Sequence, residues 1–302
     1  MNPFFEVSPD EIKQLGDADL RELVGLLCEA EFRKTGRDTS GIFWGGHQDA
    51  PDGGFDVVVD VEEGLQSPRY LKRANVGFQV KKPGMPPAKI GPEMIKKGKL
   101  RPEIETLADQ AGAYIIVSSG DTCSSSALSN RIDEMTGSAS TAKNANSLYL
   151  DFIDSSRLAT WVRDHPALIL WVKTRIGKSY KGWKPFGAWA GVPEGGKDDY
   201  LIDEEVRVFG LDDKQAKGVS ALDAIERLRE NLRQPGTSTR IAGLSGVGKT
   251  RFVQALFESA VGKDPLDPAT VFYSDIADGP EPDAKSLIGL LGRHREAVQC
   301  SY

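Results

Sequence analysis

The chain has 302 residues, of which 27% are charged and 39% hydrophobic, with a formal net charge of −6. This length allows more than one domain, and the composition is that of an ordinary globular protein. It contains no apolar run near the roughly 18 residues that a membrane-spanning helix needs, and its first residues lack the features of a secretory signal. The three cysteines and three histidines show no zinc-binding spacing. We therefore expect a cytoplasmic protein without a membrane partner.

The first half of the chain predicts an α/β domain. Ser8 and Glu11 form a capping box before a short helix, and Asp17 caps a longer amphipathic helix. The further predicted elements are strands 42–44, 55–61 and 77–81, helix 103–111, strand 113–119, helix 125–135, strand 147–153, and helices 156–164 and 166–176. The segment 83–102 is expected to be a long irregular loop with one helical turn at most. This order indicates a mixed central sheet with helices on its faces.

Two of these strands carry polar residues that suit phosphodiester chemistry. Asp56 opens the first of the pair, and Gln79 and Lys81 lie two residues apart on the second, hence on one face. If the strands are neighbours, a carboxylate, an amide oxygen and an ammonium group meet in one cleft. A Mg²⁺ ion takes such oxygen ligands and could add the backbone carbonyl of Val80. The pattern predicts a metal-dependent nuclease site.

Three other residues are weaker candidates for this site. Glu29 and Glu31 lie towards the C-terminal end of the long helix, where an anion is electrostatically unfavourable, so one of them could point into the cleft. Each is equally well explained as a surface glutamate. His47 lies in a glycine-rich loop before strand 55–61 and could act as a base, although a loop histidine is more often structural.

A basic segment follows the first strand of the pair. Between Gln66 and Arg101 there are ten cationic residues and one anion, Glu93. A cluster of this kind in an acidic chain is typical of a surface that contacts nucleic-acid phosphates. A solvated lysine-rich face is the alternative.

The second half predicts a nucleotide-binding domain. After a connector at 178–204, rich in glycine, proline and aromatic residues, we expect strand 205–209, helix 220–233 and strand 239–241. GLSGVGKT then matches the phosphate-binding loop G-x-x-x-x-G-K-[ST] and precedes a helix expected at 251–261. The residues predicted to bind ATP with Mg²⁺ are Gly243, Ser245, Gly246, Val247, Gly248, Lys249, Thr250 and Arg251. Within that set, Lys249 would reach the β- and γ-phosphates and Thr250 would hold the Mg²⁺ ion.

The nucleotide-binding domain is expected to be incomplete. Strand 269–275 and helix 284–298 continue the α/β pattern, but a domain of this type needs roughly 100–200 residues. No strand that ends in an acidic residue is clearly placed to help hydrolysis, since Asp275 comes too early. We therefore do not predict ATP hydrolysis by this chain alone. The expected domains are residues 1–177, a connector at 178–204 and residues 205–302.

The sequences FWGGHQDAPDGGFDV and FQVKK resemble those of the PD-(D/E)xK restriction-endonuclease superfamily, in its Mrr-like, glutamine-containing branch. The resemblance covers about residues 17–176 and implies a restriction-endonuclease-like mixed central sheet flanked by helices. It also implies that Asp56 binds the metal, that Gln79 replaces the second acidic ligand and that Lys81 positions or polarises the attacking water. The helix glutamate of such enzymes would correspond to Glu29 or Glu31. With Gln79 in place of an acid, Mg²⁺ should bind less tightly.

A nuclease domain followed by GLSGVGKTR is similar to the layout of STAND P-loop NTPases, in particular the Avs-type antiviral proteins of bacteria. That resemblance implies target sensing, ATP-bound assembly into a homo-oligomer such as a tetramer, and cleavage of double-stranded DNA. The trigger would be a phage protein that a further C-terminal region senses.

Two other functions agree with the same residues. The chain could be a nucleotide-switched scaffold whose degenerate nuclease-like domain only binds DNA. It could also be a component of a modification-dependent restriction system, which would prefer methylated DNA.

Overall fold

The computed structural model describes residues 4, 6–44, 54–65, 69–185, 206–210, 217–234, 236–258, 260–283 and 285–287. Contacts between Cα atoms divide the chain into two units, Met1–Ser179 and Tyr180–Tyr302. Several predictions lie outside the described residues: His47 and its loop, most of the connector 178–204, the first residue of strand 205–209 and most of helix 284–298.

The first unit is a mixed α/β structure with a five-stranded sheet flanked by helices, as predicted. Its elements are α1 (Pro9–Ile12), α2 (Asp17–Lys34), β1 (Ile42–Trp44), β2 (Val57–Asp60), β3 (Asn75–Lys81), α3 (Pro87–Met94), β4 (Ile95–Lys96), β5 (Lys99–Leu100), α4 (Pro102–Asp109), β6 (Ala113–Ser118), α5 (Ser125–Ala139), β7 (Tyr149–Asp154), α6 (Ser155–Arg163) and α7 (Pro166–Arg175).

The central sheet has the strand order β1-β2-β3-β6-β7. Strand β2 pairs antiparallel with both β1 and β3, whereas β6 pairs parallel with both β3 and β7. All six residues of β6 are buried, because helices cover this central strand on both faces. The antiparallel pairing brings the start of β2 beside the end of β3, which is where the predicted site residues lie.

Different helices pack against the two faces of the sheet. Tyr114 and Ile116 of β6 belong to a core cluster with Ile90 and Met94 of α3 and residues of α4 and α5. On the other face, Phe78 of β3 meets the ring of Trp161 in α6, with ring centroids 6.5 Å apart. Side chains alternate along a strand, so Gln79 faces the α3 side and Phe78 faces the α6 side.

The helix starts follow the predicted capping chemistry with one difference. The capping box of α1 is confirmed, since Ser8 Oγ accepts from Glu11 N at 3.2 Å and Glu11 Oε2 accepts from Ser8 N at 3.1 Å. Asp17 is the first helical residue of α2, not its cap, and Gly16 takes the cap position without a side-chain hydrogen bond.

The prediction of an irregular loop over 83–102 is wrong. The segment contains helix α3 and a two-stranded hairpin formed by β4 and β5. Pro87 starts the helix, where its missing N–H costs nothing, and Pro92 lies inside it. Burial of Ile90 and Met94, four residues apart, stabilises the helix despite Pro92.

The second unit contains β8 (Trp183–Pro185), α8 (Ala221–Leu232), α9 (Lys249–Ala255) and β9 (Phe272–Ser274). Strands β8 and β9 pair antiparallel. Buried Arg229 of α8 donates to five backbone carbonyls at the end of α9 and just beyond it, including Leu256 O at 2.9 Å and Val261 O at 2.6 Å. These bonds satisfy carbonyls that a helix end leaves unpaired.

Three predictions in this unit need correction. Residues 239–241 do not form a strand, and α9 is shorter than the predicted helix 251–261. Of strand 205–209, only an isolated bridge between Val208 and Val219 is present among the described residues. Within the described residues, the second unit therefore combines helices α8 and α9 with the antiparallel pair of β8 and β9.

Candidate active site

The strand register places Asp56 directly opposite Gln79. Asp56 N donates to Phe78 O at 2.9 Å, which continues the antiparallel ladder of β2 and β3 by one residue. Oδ2 of Asp56 then accepts two hydrogen bonds, from Gln79 Nε2 and from Val80 N, both at 2.8 Å. Asp56, Gln79 and Val80 are thus brought together, as the sequence predicted for neighbouring strands.

A close contact sets the position of the residue before Asp56. Gly77 of β3 leaves room for the ring of Phe55, and a Cβ atom at Gly77 would lie only 2.7 Å from that ring. The ring of Phe55 also meets Tyr114, with centroids 5.9 Å apart. A glycine within a strand often marks such a close approach, and here the approach holds Phe55 against the sheet beside the site.

Lys81 lies at the end of β3 and pairs with a residue that sequence reasoning did not select. Its Nζ is 3.1 Å from Glu93 Oε1 in α3, and Arg101 approaches the same oxygen at 3.5 Å. On the other side, Arg21 Nε of α2 lies 3.2 Å from Asp56 Oδ1. The site therefore combines the carboxylates of Asp56 and Glu93 with three cationic side chains.

The sequence contained one signal for Glu93, since it is the single anion among ten cations. It contained no comparable signal for Arg21 or Arg101, because their roles depend on how α2 and the β5–α4 junction pack against the sheet. Tyr114 was hidden for the same reason within a buried apolar strand.

Burial dominates the electrostatics of Asp56. Removal of water raises the pKa of its carboxyl group, and the Val80 N–H and the charges of Arg21 and Lys81 only partly offset this. Burial also raises the pKa of Tyr114, and the charge of Glu93 adds to that effect. A carboxylate that is short of solvation in this way is suited to bind a cation.

Unsatisfied donors gather around the two carboxylates. Within the described residues, Arg101 Nε and the Tyr114 hydroxyl are buried without a hydrogen-bond partner, and Arg21 Nε is buried with only its ion-pair contact to Asp56. The charges of Glu93 and Asp56 add to the rise in the pKa of Tyr114, and the charge of Arg101 partly offsets it. Buried donors normally find acceptors, so their grouping here points to an additional acceptor such as a phosphate oxygen or water.

The donor set suits a partly hydrated Mg²⁺ ion. Asp56 and Glu93 supply carboxylate oxygens, and Mg²⁺ commonly uses only one or two carboxylates with several waters. The Val80 N–H points to Asp56, so its carbonyl leaves β3 on the same side. Gln79 now directs its amide N–H to Asp56 and would present its oxygen after rotation of the amide. No group of three or more His, Cys, Asp or Glu side chains suited to a metal exists in the described part of the chain.

The structure does not bring Glu31 or Glu29 into this site. Glu31 Oε1 accepts from Trp161 Nε1 at 2.8 Å and lies 3.0 Å from His165 Nε2. Trp161 packs against Phe78, on the face of β3 opposite Gln79. Glu29 accepts from Trp44 Nε1 and pairs with Arg33. The assignment of Glu31 as a catalytic residue is therefore corrected: it serves a buried polar contact among helices.

The second unit contains the glycine-rich loop. Gly246 and Gly248 have φ angles of 83° and 82°, a backbone that favours glycine. Lys249 Nζ donates to Gly243 O at 3.1 Å and Leu244 O at 2.8 Å, so its ammonium group lies within the curve of the loop.

The other side chains of the predicted nucleotide site differ in their exposure and contacts. Ser245, Val247 and Thr250 are exposed, while Arg251 pairs with Glu258 through its guanidinium group, at 2.6 Å for one of the two contacts. The predicted ATP ligands thus share one loop and helix start, but the guanidinium group of Arg251 is paired with Glu258, three residues beyond the end of α9.

Within the described residues, no helix is long and apolar enough to cross a membrane. Comparisons with protein-family models, with curated proteins and with solved structures found no match to this chain.

Proposed function

We propose that the first unit is a Mg²⁺-dependent DNA endonuclease that cleaves double-stranded DNA. The observation that carries this proposal is the meeting of Asp56, Gln79 and Lys81 at the adjoining ends of β2 and β3, with Glu93 beside them. A mixed sheet flanked by helices is also the general architecture that the sequence resemblance implies.

Each residue has a role that follows from its chemistry. Asp56 and Glu93 would hold Mg²⁺, with the Gln79 amide oxygen and the Val80 carbonyl as neutral ligands. When bound, the ion would polarise the scissile phosphodiester and lower the pKa of a water molecule. Lys81 would leave Glu93 for the phosphate and stabilise the negative charge that develops on it. Arg101, released from the same carboxylate, would bind a neighbouring phosphate oxygen.

We further propose that the second unit binds ATP with Mg²⁺ and that the chain acts as the effector of an antiphage STAND NTPase. Support comes from the complete GLSGVGKT motif and from the lysine lying within its loop. In this proposal ATP-driven homo-oligomerisation, triggered by a phage protein, brings nuclease units together. Lys249 and Thr250 would contact the phosphates and their Mg²⁺.

Plasmid cleavage by the whole chain tests the nuclease proposal. Supercoiled DNA should be nicked or linearised in Mg²⁺, with and without ATP, and EDTA should stop the reaction. Asp56→Ala and Lys81→Ala should each lower the cleavage rate by at least about 100-fold, whereas Lys143→Ala, at an exposed lysine outside the site, should cleave like the parent. Undiminished cleavage by both site variants would show that these residues do not form the active site.

A second candidate function, DNA binding without cleavage, is favoured by one observation. Both oxygens of Asp56 already have protein partners, and Lys81 is paired with Glu93, so these side chains satisfy one another without a metal. This function predicts salt-sensitive retention of DNA and an intact plasmid in Mg²⁺, even after the chains are joined into oligomers. Cleavage that depends on Asp56 would exclude it.

A further inference from the structure

The hairpin of β4 and β5, here called the lysine hairpin (Ile95–Leu100), is a small rigid element within the basic segment. Its strands pair Ile95 with Leu100 and Lys96 with Lys99. Met94 and Leu100 at its base are buried in the core cluster, and Arg101 N donates to Met94 O at 2.9 Å. The base of the hairpin is therefore held in place, while its four tip residues are exposed.

Two features of the tip of the lysine hairpin reduce the stability of the folded protein. Lys96 and Lys99 are directly opposite each other, and like charges in this arrangement repel. Lys97 adopts a φ angle of 54°, in the left-handed region, followed by Gly98 at 76°. Asparagine is the residue that normally precedes glycine in such a turn, and a lysine there is strained because its Cβ atom crowds the backbone in the left-handed region. The three lysines therefore do not stabilise the hairpin.

The three lysines of the tip are exposed. No ion pair joins Lys96, Lys97 or Lys99 to a carboxylate among the residues that the structure describes. By contrast, Arg101 and Lys81 of the same basic segment share Glu93. The charge at the tip is thus available to a partner outside the chain.

The lysine hairpin is tied to the candidate active site at both of its ends. Glu93 lies two residues before it and contacts Lys81, and Arg101 directly follows it and contacts Glu93. Arg101 also lies near Gly54, which precedes Asp56 by two residues. A Cβ atom built on Gly54 would be 4.0 Å from Arg101 Nη1. A ligand held by the tip would therefore lie close to the reacting groups.

We propose that the lysine hairpin binds the phosphate backbone of duplex DNA next to the bond that is cleaved. This inference rests on the proposed nuclease function and names the element that holds its substrate. Three ammonium groups on one rigid tip match a polymer with closely spaced phosphates along each strand. Release of counterions from those phosphates offsets the repulsion that the lysines impose on the free protein. The contacts are to phosphate, so they should not depend on base sequence.

Salt-dependent binding of the whole chain to a fluorescein-labelled 20-base-pair duplex, measured by anisotropy in EDTA, tests this inference. Replacing Lys96, Lys97 and Lys99 together by alanine should make the slope of log Kd against log salt shallower by about 2.7, at roughly 0.9 per phosphate contact. The matched control Lys34→Ala/Lys143→Ala/Lys217→Ala removes three exposed lysines elsewhere and should keep the parent slope.

Lys97→Asn separates a loss of contact from a loss of fold. Because Asn-Gly suits the turn, this variant should have a Tm equal to or above that of the parent. Its salt slope should nevertheless be shallower by about 0.9. A triple variant that binds with the parent's Kd and slope would overturn the inference, as would a parent that does not bind the duplex.

The two proposals fail in different assays. If plasmid cleavage proves independent of Asp56, the nuclease assignment fails, while the anisotropy slopes still decide whether the hairpin holds DNA. If the triple variant binds like the parent but Asp56→Ala abolishes cleavage, the hairpin inference alone is overturned.

Discussion

Replacing Gly77 by alanine should disturb the geometry of the candidate active site, although it changes no functional side chain. The new Cβ atom would lie 2.7–2.8 Å from three atoms of the Phe55 ring, whereas carbon atoms in contact are normally about 3.5–4.0 Å apart. The ring must therefore move by roughly 1 Å, and it carries Asp56 with it. We expect a loss of about 1–3 kcal/mol in unfolding free energy from overpacking. A 1 Å displacement of a catalytic group should lower cleavage about 100-fold.

The assay combines urea unfolding with the initial rate of plasmid cleavage. Gly137→Ala is the matched control, because this exposed helical glycine has no atom within 4 Å of a new Cβ and alanine should stabilise the helix by about 0.5–1 kcal/mol. It should leave the cleavage rate unchanged. If Gly77→Ala cleaved DNA within twofold of the parent rate, the contact with Phe55 would not position Asp56.

Three further predictions concern individual charged side chains. Burial raises the pKa of Asp56 above its ordinary 3.8, so its ionisation costs stability as the pH rises through the folded-state pKa. The Tm of Asp56→Asn minus that of the parent should increase with pH above 3.8 and level off once Asp56 is ionised in the folded protein. A flat difference would contradict burial as the cause. Lys173→Met leaves buried Glu11 with Lys178, at 3.2 Å, as its remaining cationic partner among the described residues and should cost about 3 kcal/mol in urea unfolding. A second change, Glu11→Leu, should recover most of that loss, and no recovery would refute this prediction. Lys249→Ala should abolish binding of a fluorescent ATP analogue, and an unchanged Kd would exclude the loop as the nucleotide site.

The central sheet could be predicted because its signals are local. Strand β6 is a continuous β-branched and aromatic run, and β2 and β3 are consecutive strands, which most often lie next to each other in a sheet. The helix at 87–94 was missed because Pro92 lies within it and proline argues against a helix interior. Its stability comes from the burial of Ile90 and Met94, which depends on the sheet beneath them.

The candidate site was predictable to the extent that it follows strand alternation. Asp56, Gln79 and Lys81 needed only that the two strands be neighbours, and β2 and β3 do pair. Glu31 needed a contact across 130 residues with Trp161, which no periodicity indicates. Glu93 likewise entered the site through the packing of α3, an element that the sequence pattern did not predict.

The Mg²⁺ dependence of cleavage by three proteins tests the central claim most directly. Gln79→Glu adds a second carboxylate beside Asp56 and should lower the Mg²⁺ concentration for half-maximal plasmid cleavage by the whole chain. Asp56→Asn should show no cleavage at any Mg²⁺ concentration, although it keeps nearly the same shape. If Gln79→Glu required as much Mg²⁺ as the parent and Asp56→Asn cleaved equally well, these residues would not be the metal site.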